Sequence, residues 1–133
     1  MAMRTKFSLS FEDAETVAAA CLGAARQHGV GVSVAVVDDA GVLLHFSRMD
    51  GARAYTVEIA SQKARMSASV GVPTSVMEAM YRERPGQSRE SNVGRGGVPV
   101  RYQEQGAGAV GVSGATPETD EIIAQAGIAA LTT

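Results

Sequence analysis

At 133 residues, with 45% hydrophobic and 20% charged residues, the chain is long enough for one domain around a single core and too short for two. Its formal net charge of −2 offers no general field for nucleic acid or an anionic membrane, so neither is expected as a partner. A lone cysteine excludes an internal disulfide framework, and with His28 and His45 it fits no zinc spacing, so no metal site is expected.

The opening stretch, MAMRTKFSLSFED, has no apolar core of signal-peptide length, and no run approaches the roughly 18 apolar residues of a membrane span. A cytoplasmic protein with flexible residues 1–9 is the expectation. Ser10 with Asp13 matches a capping pattern before the first helical period, in which Ala14, Val17, Ala18, Cys21, Leu22, Ala24 and Ala25 share a face. Cys21 reads as a small core residue and His28 as a helix-end residue that suits the dipole.

Gly31 to Val37 and Val42 to Met49 read as two strands around an Asp38-Asp39-Ala40-Gly41 turn. Strict alternation on the second strand puts His45 on the face of Leu43, as a half-buried histidine or a pocket residue. The turn Arg48-Met49-Asp50-Gly51-Ala52 then feeds a second helix. Laid out at about 100° per residue, Thr56, Ile59, Ala60, Ala64, Met66, Ser67 and Val70 share a broad arc with Lys63 in its middle. Only two lysines stand against ten arginines, so a lysine on an apolar face is unlike casual surface charge. Such a group must snorkel or pair, and Asp50, the nearest carboxylate in sequence, is the expected partner. The pair would be structural, or Lys63 would be a ligand-binding or catalytic group.

The second helix should end at Gly71, and a third, capped by Thr74 or by Ser75 with Glu78, carries Met77, Met80 and Tyr81. Its methionines are core filler or, with Met49 and Met66, the lining of an adaptable pocket. Residues 85–97, PGQSRESNVGRGG, hold four glycines and no apolar period, which predicts a long mobile loop. Arg82, Arg84, Arg89 and Arg95 make this region locally cationic, suited to a carboxylate or phosphate.

Val98 to Gln103 and Ala107 to Ser113 form a second hairpin. The GxGxxG string at Gly106 to Gly111 lies inside a strand pattern and is rejected as a dinucleotide fingerprint; its small residues would let a helix or a flat ligand approach the sheet. Thr116-Pro117, followed by Glu118, Asp120 and Glu121, starts the last helix. The Glu118/Glu121 and Glu12/Glu15 pairs read as helix-start acids in preference to metal ligands. The predicted order α-β-β-α-α-β-β-α implies an α+β domain, an antiparallel sheet of four or five strands with helices packed on it. Many alanines and 15 glycines with no tryptophan leave few large core side chains, which predicts a homo-oligomer.

Arg48-Met49-Asp50-Gly51-Ala52, Ala60 with Lys63-Ala64, Gly96-Gly97-Val98-Pro99-Val100 and the stretch VGVSGATPETDEIIAQAGIAAL at 110–131 resemble the GlcG/HbpS family. The resemblance spans nearly the whole chain and implies a profilin-like fold in a homo-oligomer. It also implies one of several activities: a glycolate-operon role, haem binding, a corrinoid-related domain, or lyase activity on hydroxylaminobenzoate. Two functional expectations follow. One is a small-molecule binder for haem or another flat carboxylate-bearing ligand, with Arg89 or Arg95 on the carboxylates, His45, Met66 or Met77 near the ring, and Arg48, Asp50 and Tyr81 lining the site. The other is a cofactor-independent lyase or isomerase, with Lys63 or Tyr102 as acid/base and an arginine anchoring an aromatic carboxylate.

Overall fold

A computed structural model describes residues 1–83 and 94–131. The elements are α1 (Phe11–Gln27), β1 (Ser33–Asp38), β2 (Leu43–Arg48), α2 (Tyr55–Val70), α3 (Thr74–Glu83), β3 (Gly97–Tyr102), β4 (Gln105–Ser113) and α4 (Pro117–Ala129). The four strands form one antiparallel sheet in the order β2-β1-β4-β3. This is the expected α+β order, with four strands.

Local chemistry sets the element ends. Ser10 accepts the Asp13 N–H while Asp13 reaches back to the Ser10 N–H, a reciprocal capping box that opens α1. Thr116 accepts from the Thr119 N–H, and Pro117 occupies the first turn of α4, where its missing N–H costs nothing. The second helix stops at Gly71, whose left-handed φ of 75° suits a residue without Cβ. Thr74 does not cap α3 as expected. Its hydroxyl accepts from the Gly97 N–H at 2.9 Å and so fastens α3 to the start of β3.

The sheet has two unlike faces. Val34, Val36, Val100, Val110 and Val112 meet Val17, Cys21, Ile123 and Ala124 of α1 and α4 in the larger core. On the other face Ala35, Val37 and Ala109 meet Ala60 and Ala64 of α2. These small residues bring the helix backbone down onto the strands. Gly97 and Gly111 are paired neighbours on β3 and β4. A Cβ at Gly111 would strike the Ala60 carbonyl and the Ala64 amide, and one at Gly97 would strike the Lys63 carbonyl. The small residues of the rejected GxGxxG string thus admit a helix at Gly111.

Two expectations are corrected. A bulge between Val36 and Val37 pairs Val36 with His45 but Val37 with Leu43. Directly opposed residues share a face, so His45 and Leu43 point to opposite sides, His45 to the side of α1. Residues 1–9 are not wholly loose either, because Leu9 is buried and its N–H donates to the Ala107 carbonyl at 2.9 Å. Phe7 meets Tyr102 edge-on, with ring centroids 4.8 Å apart, and Lys6 pairs with Asp39. Of the loop expected at 85–97, residues 85–93 lie outside the described residues, and Gly97 already belongs to β3. No helix among the described residues is long and apolar enough to cross a membrane.

Candidate functional site

Lys63 lies on the inner face of α2 with Thr56, Ala60, Ala64 and Ser67, and is only 5% exposed. Its ammonium reaches past the end of the sheet, donating to the Val112 carbonyl at 2.8 Å and to Asp120 Oδ2 at 3.2 Å. The expected partner, Asp50, is exposed, so that assignment is corrected. The turn around Asp50 is held by backbone bonds, Met49 to Val32 and Ala52 to Met49, and by Arg48 Nη1 on the Ala52 carbonyl. Arg48 and Asp50 thus flank a structural turn, with their side chains exposed.

Asp120 is 3% exposed and also accepts from the Ala115 N–H at 2.9 Å. Burial pushes the Lys63 ammonium below its ordinary value of 10.5, against the pull of Asp120 and the more distant Glu78. Burial likewise raises the Asp120 carboxyl, opposed first by the charge of Lys63 and then by the Ala115 N–H. The pair ties α2, on one face of the sheet, to the first turn of α4, on the other. Its geometry is that of a clamp.

The neighbouring acid, Glu121, is also buried and accepts from Arg95 Nη2 at 3.2 Å. Glu121 is therefore turned inward, away from Glu118 at the exposed start of the helix. Among the described residues, Arg95 Nε and Glu121 Oε2 are buried without hydrogen-bond partners. Beside them Ser75, Glu78, Arg82, Arg95, Pro117 and Glu118 line a cleft of about 210 Å³, with Arg82 paired to Glu78 along α3.

A larger groove, of about 420 Å³, lies at the other end of the β3-β4 hairpin. Phe7, Leu9, Val100, Ala107, Ile128 and Leu131 give it apolar walls, and Ser8, Asp13, Arg101 and Tyr102 supply polar groups. Tyr102 is 39% exposed there, and Arg101 spends one guanidinium N–H on the Glu104 carbonyl.

The expected site residues are thus distributed. Lys63 sits at the Gly97 end of β3 and Tyr102 at its far end, five residues or roughly 17 Å away along the strand. The two do not meet on one substrate. His45, whose Nε2 lies 3.0 Å from Ser47 Oγ, faces the α1 side of the sheet, whereas Met66 belongs to α2 on the opposite side. Met66, Met77 and Tyr81 are half-buried and line neither the cleft nor the groove; Arg89 lies outside the described residues. Sequence reasoning missed Asp120, Glu121 and the groove-forming arm at Phe7 and Leu9.

Comparison with known proteins assigns the chain. Residues 9–129 match the family described as haem degrading protein HbpS-like. Protein GlcG of Escherichia coli K12 is 37% identical over 124 residues, covering 84% of this chain and 85% of that protein. The crystal structure of HbpS superimposes with a TM-score of 0.90 at 34% identity, covering 98% of this chain and 95% of that one. The crystal structure of a PduOC:heme complex gives 0.85 at 28% identity, covering 93% and 95%. With the sheet, the helix order and the matched length all in agreement, the chain belongs to the GlcG/HbpS family.

Proposed function

We propose that this protein binds a small molecule, haem or another flat carboxylate-bearing ligand, in the groove between the N-terminal arm, β3 and α4. The observation that carries the reading is the groove itself, about 420 Å³ of mainly apolar wall with a phenol and a guanidinium at one end. Small-molecule sites occupy roughly 300–1,000 Å³ and combine such walls with a few polar groups. A haem-bound structural relative at 28% identity supports haem as the first ligand to test.

The residues present fit haem. Its iron takes His, Cys, Met or Tyr as an axial ligand. Tyr102 would offer a phenol oxygen, and Arg101 retains donors for a carboxylate, since a guanidinium carries several and one is spent on Glu104. Cys21 is no candidate, because burial pushes its thiol up to about 12. A bound haem would supply the redox chemistry of its iron, while the groove would exclude water from one face and orient the ring edge.

Titration of the protein with hemin is expected to give a shifted Soret band that saturates near one equivalent. Tyr102→Phe should alter the spectrum and weaken binding by about tenfold or more, and His45→Ala should leave both unchanged. A titration that never saturates would remove the haem reading, and loss on His45→Ala alone would move the ligand to the β2 edge.

The chain is also proposed to assemble as a homo-oligomer. Val42 and Leu43 at the β2 edge, with Val57, Val70, Val76 and Met80 on α2 and α3, are large apolar residues left exposed. Light scattering over a concentration series is expected to give a mass well above the 13.7 kDa protomer. A mass that stays at the protomer value throughout would count against it.

A further inference from the structure

At the mouth of the groove we infer a gate: residues 4–8 of the N-terminal arm swing about Leu9, and the Lys6–Asp39 ion pair latches them shut across the path of the ligand. Leu9 is the fixed end. It is 8% exposed, donates its N–H to the Ala107 carbonyl at 2.9 Å, and fills the space that Gly108 leaves, where a Cβ would stand 2.7 Å from Leu9 Cδ1. Ser10, the next residue, is locked into the capping box of α1, so the chain is held on the helix side of this point.

Upstream of Leu9 the hold is lighter. Phe7 meets Tyr102 edge-on at 4.8 Å, Ser8 Oγ accepts from the Asp39 N–H at 3.4 Å, and Lys6 Nζ lies 3.3 Å from Asp39 Oδ2 with its own side chain 65% exposed. An exposed ion pair is weak and screened by salt, and one ring pair adds little, so such a hold opens and recloses readily. Two of the three contacts fall on Asp39. Its turn is rigid, because Asp38 Oδ1 accepts from the Ala40 and Val42 N–H groups at 2.9 Å each, which leaves the Asp39 carboxylate for the arm.

What the arm covers is the groove. Phe7 and Ser8 stand in its wall, and the Phe7 ring abuts Tyr102, the residue that supplies the phenol. Releasing Lys6 from Asp39 frees Phe7 from beside Tyr102 and uncovers the apolar floor of Val100, Ala107, Ile128 and Leu131, while Leu9 stays seated. Entry is then set by the open fraction of the arm, and reclosure completes the wall around a ligand already inside.

The inference rests on the groove reading above, so its probe is anilinonaphthalene sulfonate, a flat apolar ring system with an anionic group; should hemin fail to bind, the gate is still measured. Two rates are followed on the full-length protein: chymotrypsin cleavage of the Phe7–Ser8 bond, read by mass, and stopped-flow uptake of the dye. Lys6→Glu and Asp39→Lys each place like charges in the latch. At low salt each is expected to speed both rates by about threefold or more, through a larger open fraction, with an unchanged unfolding midpoint. The double variant restores an opposite pair and should return both rates to the parent's. Added NaCl should speed the parent and slow the single variants toward a common rate, since it screens attraction in the one and repulsion in the others. Cleavage at the parent's rate in both single variants would overturn the latch, and faster cleavage with unchanged dye uptake would overturn the gate. A double variant as open as the single ones would overturn the pairing.

Discussion

Replacing Asp120 with asparagine is expected to destabilise the fold by about 3–5 kcal/mol, because it strands the Lys63 ammonium at 5% exposure with only the Val112 carbonyl to accept from it. Asparagine keeps the shape and can still accept from the Ala115 N–H, but its Nδ2 then sets a donor where Oδ2 accepted from Lys63, so the loss reports the missing charge together with the missing acceptor. Lys63→Met alone should also destabilise, by leaving a buried carboxylate with backbone donors only. The double substitution should recover much of the loss, since an apolar or neutral pair removes both desolvation costs together. The pH dependence gives an independent check. In Asp120→Asn the Lys63 pKa falls further below 10.5, so between that lowered value and 10.5 the unfolded chain binds more protons than the folded one. Stability of the variant should therefore rise with pH in that window, and its deficit against the parent should shrink. Urea unfolding of the four proteins at neutral and alkaline pH measures all of this. A deficit below about 1 kcal/mol at neutral pH, or one that grows toward pH 10.5, would contradict the clamp. Asp50→Asn, by contrast, alters an exposed side chain and should stay within about 0.5 kcal/mol of the parent.

How much of this was legible in the sequence depends on whether the signal was local. The caps at Ser10 and Thr116-Pro117 and the stop at Gly71 each rest on chemistry within a few residues, and the structure places them as expected. The burial of Lys63 was legible too, from its place on the apolar arc. Its partner was not, because proximity in sequence favoured Asp50 while the actual partner is 57 residues away. A usable signal existed. Asp120 shares a helical stripe with Ile123, Ala124 and Gly127, all buried on α4. Two helices, each with one opposite charge set in an apolar face, imply that the charges meet. The face of His45 was lost to the bulge at Val36/Val37, since a single extra residue inverts strict alternation. The groove was hidden for a different reason: its wall comes from Phe7 and Leu9, in an arm without helix or strand pattern. That arm docks where Gly108 leaves room for the Leu9 side chain.

The close seat of α2 on the sheet leads to the other large effect, Gly111→Ala, expected to cost about 3 kcal/mol or more. Ordinary overpacking is relieved by rotating a neighbouring side chain. Here the added methyl meets the Ala60 carbonyl oxygen and the Ala64 amide nitrogen, both main-chain atoms of a helix in mid-course. Only movement of the helix as a body can make room, and α2 is not free to move. Lys63 holds it to Val112 and Asp120, and Thr56 ties its first turn to Ser33 of β1 through a 2.9 Å hydroxyl contact. Lifting α2 would open the alanine-lined layer against Ala35, Val37 and Ala109 and stretch the buried ion pair at the same time. The cost should therefore exceed the usual range for one added methyl. Gly23→Ala is the matched control. That position lies in the interior of α1 with nothing near the site of a Cβ, so alanine should stabilise by about 0.5–1 kcal/mol through helix propensity. Thermal unfolding of the two variants should move in opposite directions from the parent. A Gly111→Ala protein that unfolds at the parent's midpoint would mean that α2 does not rest on the strand backbone.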